Sequence, residues 1–299
     1  MKIAVLYTCF NRKAYTLSSL KSLFASLEYY NNSANDKIDI TVYLTDDGCT
    51  DGTAETIRAV FPEKDIIILS GSGSLYWAGG MRLAWKEALK RQSEWDFYLL
   101  LNDDTDLFNG CIKELLETHL YCVQKNGKPG IYSGVTCAKS NENKTTYGGN
   151  VITNRFLGRT YRLSPNGTPQ LIDTSNANIL MVSKCVVDTI GIFYEGYRHG
   201  IADYDYSMTA RSHGIPVYIT ARYCGACEDD HTRGEELKDR IIKMSSKERA
   251  DYFSNPLHSS KDYLTFIRRQ VPFKYPFTWI LRKLHEMCPK LYYMLNHGQ

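Results

Sequence analysis

Phe97-Tyr98-Leu99-Leu100-Leu101 runs directly into Asn102-Asp103-Asp104-Thr105-Asp106. An apolar run of strand-forming residues ends abruptly in polar ones, three of them acidic. In open α/β sheets, ligands bind outside the carboxyl ends of the strands. Carboxylates placed there can hold a divalent cation that also bridges a ligand's phosphates. Mg²⁺ or Mn²⁺ suits such oxygen ligands. Asp and Asn also favour the polar turns that cap a following helix, so this motif alone leaves both readings open.

Moving outward, the same arrangement recurs upstream. The apolar runs Lys2–Tyr7, Ile38–Leu44 and Asp65–Leu69 end in Thr8/Asn11/Arg12, Asp46/Asp47 and Gly71/Gly73. Helical patterns follow at Ala14–Tyr29, Thr53–Phe61, Gly80–Arg91 and Gly110–Gln124. In the third, Met81, Ala84, Trp85, Ala88 and Leu89 recur at helical spacing. Strands alternating with helices predict a Rossmann-like, mostly parallel α/β sheet flanked by helices, with all four polar clusters at one edge. From about residue 125 the rhythm changes to short strands and loops. Further elements are predicted as a strand over Asn178–Val182, a helix near Lys184–Ile190, a helix over Asp203–His213 and a strand over Pro216–Thr220.

The chain has 299 residues, 43% hydrophobic and 23% charged, with a net charge of +3. This composition is that of an ordinary globular protein and excludes disordered, collagen-like and coiled-coil classes. The charge is too small for a dedicated nucleic-acid binder. No segment approaches the roughly 20 apolar residues of a membrane-spanning helix. Nine cysteines and no secretory pattern at the start predict reduced thiols and a cytoplasmic protein. The tail from Asn255 carries a net +5, against −2 for the rest, with aromatic residues between its bases. Such a tail can lie on an anionic membrane surface, or pack as a C-terminal helix with a solvated basic face.

Other candidates are read from residue type. A buried carboxylate in Thr45-Asp46-Asp47-Gly48-Cys49-Thr50-Asp51-Gly52-Thr53 can accept the N3–H of uracil or thymine, and Asp51 or Thr53 is expected to cap the next helix. Asp203 opens a helix and is either a base over the sheet edge or an N-cap. Cys224-Gly225-Ala226-Cys227 with His231 resembles half a zinc site, but no second Cys or His pair has suitable spacing.

Taken in order, Thr8-Cys9-Phe10-Asn11-Arg12, Asp46–Thr53 and Leu101-Asn102-Asp103-Asp104 resemble the family 2 inverting glycosyltransferases with the GT-A fold. Ser74–Met81, Gly191-Ile192-Phe193, Tyr197-Arg198-His199 and Asp203-Tyr204-Asp205-Tyr206 resemble segments of its rhamnosyltransferase-like branch. The resemblance covers about residues 2–231. It implies a nucleotide-diphosphate sugar donor and a glycan or lipid-linked acceptor in bacterial surface polysaccharide synthesis. By that resemblance Asp46 contacts the base, Asp103 lies near the ribose or sugar, Asp104 binds Mn²⁺ or Mg²⁺, and Asp203 is the catalytic base. Thr8, Asn11, Arg12, Gly73, Trp77 and Gly80 join the donor side. His231 is offered as a second metal ligand, although the family's late histidine lies nearer Ala226–Glu228. Ala202 replaces a common Glu, Ala177 stands at a position that is often Gly, and Thr209 stands where Arg is common, which predicts a missing ion pair. The organisation expected is a nucleotide-sugar half over 1–125, an acceptor half over 126–235 and a basic, aromatic helical tail over 236–299, with peripheral membrane contact through the tail at the inner face of the cytoplasmic membrane. The competing readings are a nucleotidyltransferase and a non-catalytic sugar-nucleotide binder.

Overall fold

The computed structural model describes residues 1–91, 94–155, 158–229 and 234–295. The chain opens with β1 (Lys2–Cys9), α1 (Lys13–Ser33), β2 (Asp39–Asp46), α2 (Thr53–Val60), β3 (Ile66–Ser70), α3 (Tyr76–Leu89) and β4 (Phe97–Leu101). The short β5 (Asp106–Leu107), α4 (Cys111–Asn126) and β6 (Ile131–Ala138) follow. A strand-rich stretch holds β7 (Asn141–Tyr147), β8 (Gly149–Asn154), β9 (Arg159–Arg162), β10 (Gln170–Leu171) and β11 (Thr174–Ser175). Then come β12 (Ile179–Ser183), α5 (Lys184–Ile190), α6 (Ala202–Ser212) and β13 (Val217–Ala226). The helices α7 (Gly234–Lys243), α8 (Ser246–Ser254), α9 (Ser260–Gln270), α10 (Tyr275–Met287) and α11 (Pro289–Leu295) make the tail.

The main sheet runs β10-β13-β6-β12-β4-β1-β2-β3. β3, β2, β1 and β4 are mutually parallel, β6 and β13 pair in parallel, and β12 runs antiparallel between β4 and β6. β1 alternates between two cores. Ala4 and Leu6 face the one that contains Met81, Trp85 and Tyr206, whereas Ile3, Val5 and Tyr7 face the one that contains Leu20, Leu23 and Leu115. Side chains alternate across a strand, so a sheet covered on both faces demands a continuous apolar run, as β1 and β4 supply.

Most elements lie within a few residues of their predicted limits. α3 differs: it begins at Tyr76 and carries Gly79-Gly80 in its first turns. Gly80 is there for close approach. Any side chain at this position would run into Thr8, and Thr45 Oγ1 donates to the Gly80 carbonyl at 2.8 Å. β13 runs to Ala226, past the expected Thr220, through two register shifts against β6. Trp85 of α3 is fully buried and packs on Tyr206 of α6 (5.5 Å between centroids) and on Phe193 (5.4 Å). Phe193 of the Gly191-Ile192-Phe193 segment therefore serves packing. This aromatic cluster joins α6 to α3, and truncating such a tryptophan to alanine costs about 3–5 kcal/mol.

Candidate active site

The parallel order reverses at β1, which has β2 on one side and β4 on the other. Crevices at such switch points are where α/β sheets take ligands. Arg12 follows β1, and Asp103 and Asp104 follow β4. Arg12 bridges the crevice, with Nη1 3.2 Å from Asp103 Oδ1 and Nη2 donating to Asp104 Oδ2 at 2.9 Å. Its guanidinium also lies over the Tyr15 ring at 4.9 Å. Asp103 is almost fully buried, and burial pushes its carboxyl up to about 7 against the opposing pull of Arg12. Asp104 stays a quarter exposed. Asp106, the third acid of the run, turns away to Lys139 (2.7 Å) and Ser18 (2.7 Å).

Trp77 Nε1–H donates to Asn102 Oδ1 at 2.8 Å, tying the start of α3 to the same loop. Asn11, with φ 52°, accepts the Thr50 N–H at 2.7 Å and so fixes the β1 loop to the β2 loop. The buried carboxylate of the β2 loop is Asp47, where the sequence pointed to Asp46. Asp47 Oδ1 accepts the Gly73 N–H (2.8 Å), and Oδ2 accepts those of Leu75 (2.8 Å) and Tyr76 (3.0 Å). Asp46 is half-buried and closes its own turn by accepting the Cys49 N–H at 2.6 Å. Gly73 has φ 80°, and its Cα meets Gly48 where the two turns touch. Asp51 takes the N–H of Lys13 (2.9 Å) as well as that of Thr53 (3.2 Å), so it serves the first turns of both α1 and α2. Thr8 and Gly80, expected on the donor side, are packed against each other.

Asp203 lies in the first turn of α6, two residues past the N-cap Ile201. Its Oδ2 accepts the Ala177 N–H at 3.0 Å and its Oδ1 the Tyr204 N–H at 2.9 Å. Burial pushes this carboxyl up to about 6. Each oxygen retains capacity for a further hydrogen bond. Asp205 is committed elsewhere, with Arg269 Nε of α9 at 3.0 Å and Gln270 Nε2 at 2.7 Å. Gln270 also donates to Thr209 Oγ1 at 3.1 Å. Thr209 itself forms no ion pair, and the neighbouring Asp205 takes its arginine from the tail. Asp262 of α9 accepts the backbone N–H groups of Arg198 (3.1 Å) and His199 (2.8 Å), and His199 meets the Tyr76 ring edge-on at 6.3 Å. Neither Asp262 nor Arg269 carries a local signal in the sequence; each acts on residues more than sixty positions away.

His231 lies outside the described residues. Among the described residues, no three His, Cys, Asp or Glu side chains form a ready-made metal cage. Cys227 Sγ–H donates to Asp104 Oδ1 at 3.6 Å, and burial pushes that thiol up to about 12. Cys224 is buried in the core and donates to Thr220 Oγ1 at 3.5 Å, so the two cysteines do not make half of a zinc site. The donor set around Asp104 suits Mg²⁺ or Mn²⁺, which take one or two carboxylates together with substrate phosphates.

A sequence model described as Glycosyl transferase family 2 matches residues 4–177. The crystal structure of S. aureus TarS 1-349 shares 15% identity with a TM-score of 0.52, over 91% of this chain and 72% of that one. The same protein in complex with UDP-GlcNAc gives 14% and 0.51, over 91% and 73%. At that identity the likeness shows a common fold. No curated protein matches the chain. The chain belongs to glycosyl transferase family 2 and has the GT-A α/β fold.

Proposed function

We propose that the protein transfers a sugar from a nucleotide diphosphate to a hydroxyl of a glycan or lipid-linked acceptor, with inversion, in bacterial surface polysaccharide synthesis. The observation that carries this reading is the Arg12–Asp103–Asp104 cluster across the switch point of the sheet. Arg12 meets the charge of the diphosphate, the loop pinned by Asp47 cradles it, and Asp46 with Asn11 lies toward the base. Trp77 and Asp103 bound the ribose and sugar, with Gly73 in the cradle, and Thr8 against Gly80 forms the floor. Asp203 takes the proton of the acceptor hydroxyl while that oxygen attacks the anomeric carbon from the face opposite the diphosphate. The bond to the diphosphate breaks with its electron pair, and the single displacement inverts the configuration. A divalent cation, when bound, neutralises charge on the leaving diphosphate, and Asp104 is the carboxylate that would hold it.

The halves read as 1–125 for the donor and 126–235 for the acceptor, with 236–299 bracing the second. The Ser74–Met81 and Tyr197–Tyr206 segments support the rhamnosyltransferase-like branch. No described helix is long and apolar enough to cross a membrane. The +5 tail with exposed Phe273, Phe277, Trp279 and Ile280 supports peripheral contact with the inner face of the cytoplasmic membrane. The UDP-GlcNAc bound in the TarS complex makes UDP-sugars the first to test.

Thermal shift with UDP, dTDP, GDP and CDP, each with and without Mn²⁺, tests the donor reading, because a bound donor stabilises the native state. UDP or dTDP should rank first, with CDP weaker. Asp104→Ala should lose the metal-dependent part of the shift. Equal shifts with CDP would remove Asp46 from base recognition, and an unchanged response in Asp104→Ala would remove that residue from the site. Donor binding without sugar transfer to any acceptor would favour a non-catalytic binder.

A further inference from the structure

We propose that the groove between the β8–β9 hairpin and helices α6, α9, α10 and α11 holds the acceptor, and that the acceptor is a lipid phosphate, an apolar chain joined through phosphate to the group that is glycosylated. The proposal rests on the reading of Asp203 as the base and names the substrate class for that site.

The groove is a cavity of about 770 Å³. Thr174, Ile201 and Tyr204 line one end of it. Tyr204 follows Asp203 in the chain, and its hydroxyl is 3.4 Å from Asn176 Nδ2, one residue before the Ala177 N–H that holds Asp203. Ile201, held at φ 64°, is two residues from His199, which touches Tyr76 at the start of α3. That end of the groove thus adjoins both the base and the donor side. A larger cavity of about 890 Å³ between α8, α9 and α10 touches no residue of α6 and has no such connection.

The lining carries charge of one sign. Arg155, Lys274 and Arg282 face the groove, with no Asp or Glu among the described residues of its walls. Two of these cations are fixed in place. Arg282 lies over the Tyr263 ring at 4.5 Å, and Arg155 Nη2 donates to the Gln270 carbonyl at 3.1 Å. Basic groups held over aromatic rings suit a phosphate more than a neutral sugar. The remaining walls are apolar and aromatic, with Phe266, Phe277, Leu281, Tyr292 and Tyr293 among them. Of the apolar residues that line the groove, Phe277 is 72% and Leu281 39% exposed. A hydrophilic glycan phosphate would account for the cations and leave this apolar row in water, whereas a lipid phosphate accounts for both.

The test uses the full chain, with farnesyl phosphate, farnesol and a synthetic oligo(glycerol phosphate) as probes in calorimetric titrations, and UDP as control. Farnesyl phosphate should bind at least about tenfold tighter than farnesol, and the Lys274→Glu/Arg282→Glu variant should lose about tenfold in that affinity with UDP binding unchanged. If the charge-reversed chain fails to bind UDP because it does not fold, Lys274→Gln/Arg282→Gln replaces it and should show the same loss. Equal affinity for farnesol, tighter binding of the oligo(glycerol phosphate), or no loss in the variants would overturn the proposal. Failure of the wild-type chain to bind UDP would instead overturn the donor reading on which it stands.

Discussion

Asp47 takes its three hydrogen bonds from the backbone of the next loop of the parallel sheet, at Gly73, Leu75 and Tyr76. Asp205 takes its partner from Arg269, 64 residues further on. Both carboxylates are buried, and burying a charge is costly unless it is paired and hydrogen-bonded. The edge read as the donor side meets that cost with groups of the same sheet. The edge read as the acceptor side meets it from outside, with a helix that lies beyond the stretch matched by the family model. The two edges are thus held by different means, one local to the sheet and one dependent on the tail.

The sharpest way to break the comparison is at the base. Asn in place of Asp203 keeps one oxygen to accept a backbone N–H, from Ala177 or from Tyr204, but loses the other acceptor and cannot take a proton. Asp203→Asn should keep fold and donor affinity and lose about 10²–10⁴-fold in single-turnover transfer. Near-normal transfer would remove Asp203 from the chemistry.

The next largest effects separate the two edges. Asp47→Ala leaves three N–H groups without an acceptor and should cost about 2–4 kcal/mol in urea unfolding, with nucleotide binding lost. Arg269→Ala strands the Asp205 carboxylate and should cost about 2–3 kcal/mol, at the low end for a broken buried pair because Arg269 is about one-third exposed. It should leave UDP affinity intact while raising the KM for acceptor. If Arg269→Ala weakens UDP as much as Asp47→Ala does, the two edges are not independently held.

A pH series sharpens the contrast. Burial raises the Asp203 carboxyl to about 6, so its protonated form is favoured in the fold. Its contribution to stability is therefore full below the usual carboxylate range and is lost as pH rises through about 6. Catalysis runs the other way, since only the ionised form accepts a proton. Transfer should fall about tenfold per pH unit below 6, and a flat profile across that region would assign the base elsewhere. The smallest effect belongs to Asp51, whose two capping roles lie wholly within the donor edge. Asp51→Ala should cost about 1 kcal/mol in thermal or urea unfolding, and an unchanged stability would show that water replaces it.

The alternation of apolar runs with polar ends made the parallel sheet and its polar edge legible, because each βα unit writes strand, turn and helix within some thirty residues. Asp103 and Asp104 were legible for the same reason. Asp46 and Asp47 were not separable, since neighbouring acids in a turn differ only in which one the fold buries. Gly80 was read as the start of a helix on the donor side, because the sequence does not show Thr8 lying against it. The partner of Asp205 was hidden furthest, since Arg269 sits on a helix with no local link to α6. Sequence patterns record period and turn chemistry, but contacts made across sixty residues leave no period.

The hold of Arg269 on Asp205 has a consequence for how the protein comes into being. A ribosome adding about 5–20 residues per second delivers Asp205 several seconds before Arg269. Through that interval Asp205 lacks the counter-ion that α9 supplies. The helix proposed to bear the base gains its ion pair only once Arg269 has left the exit tunnel. A product of interrupted synthesis that stops short of α9 would carry Asp203 on a helix without that anchor.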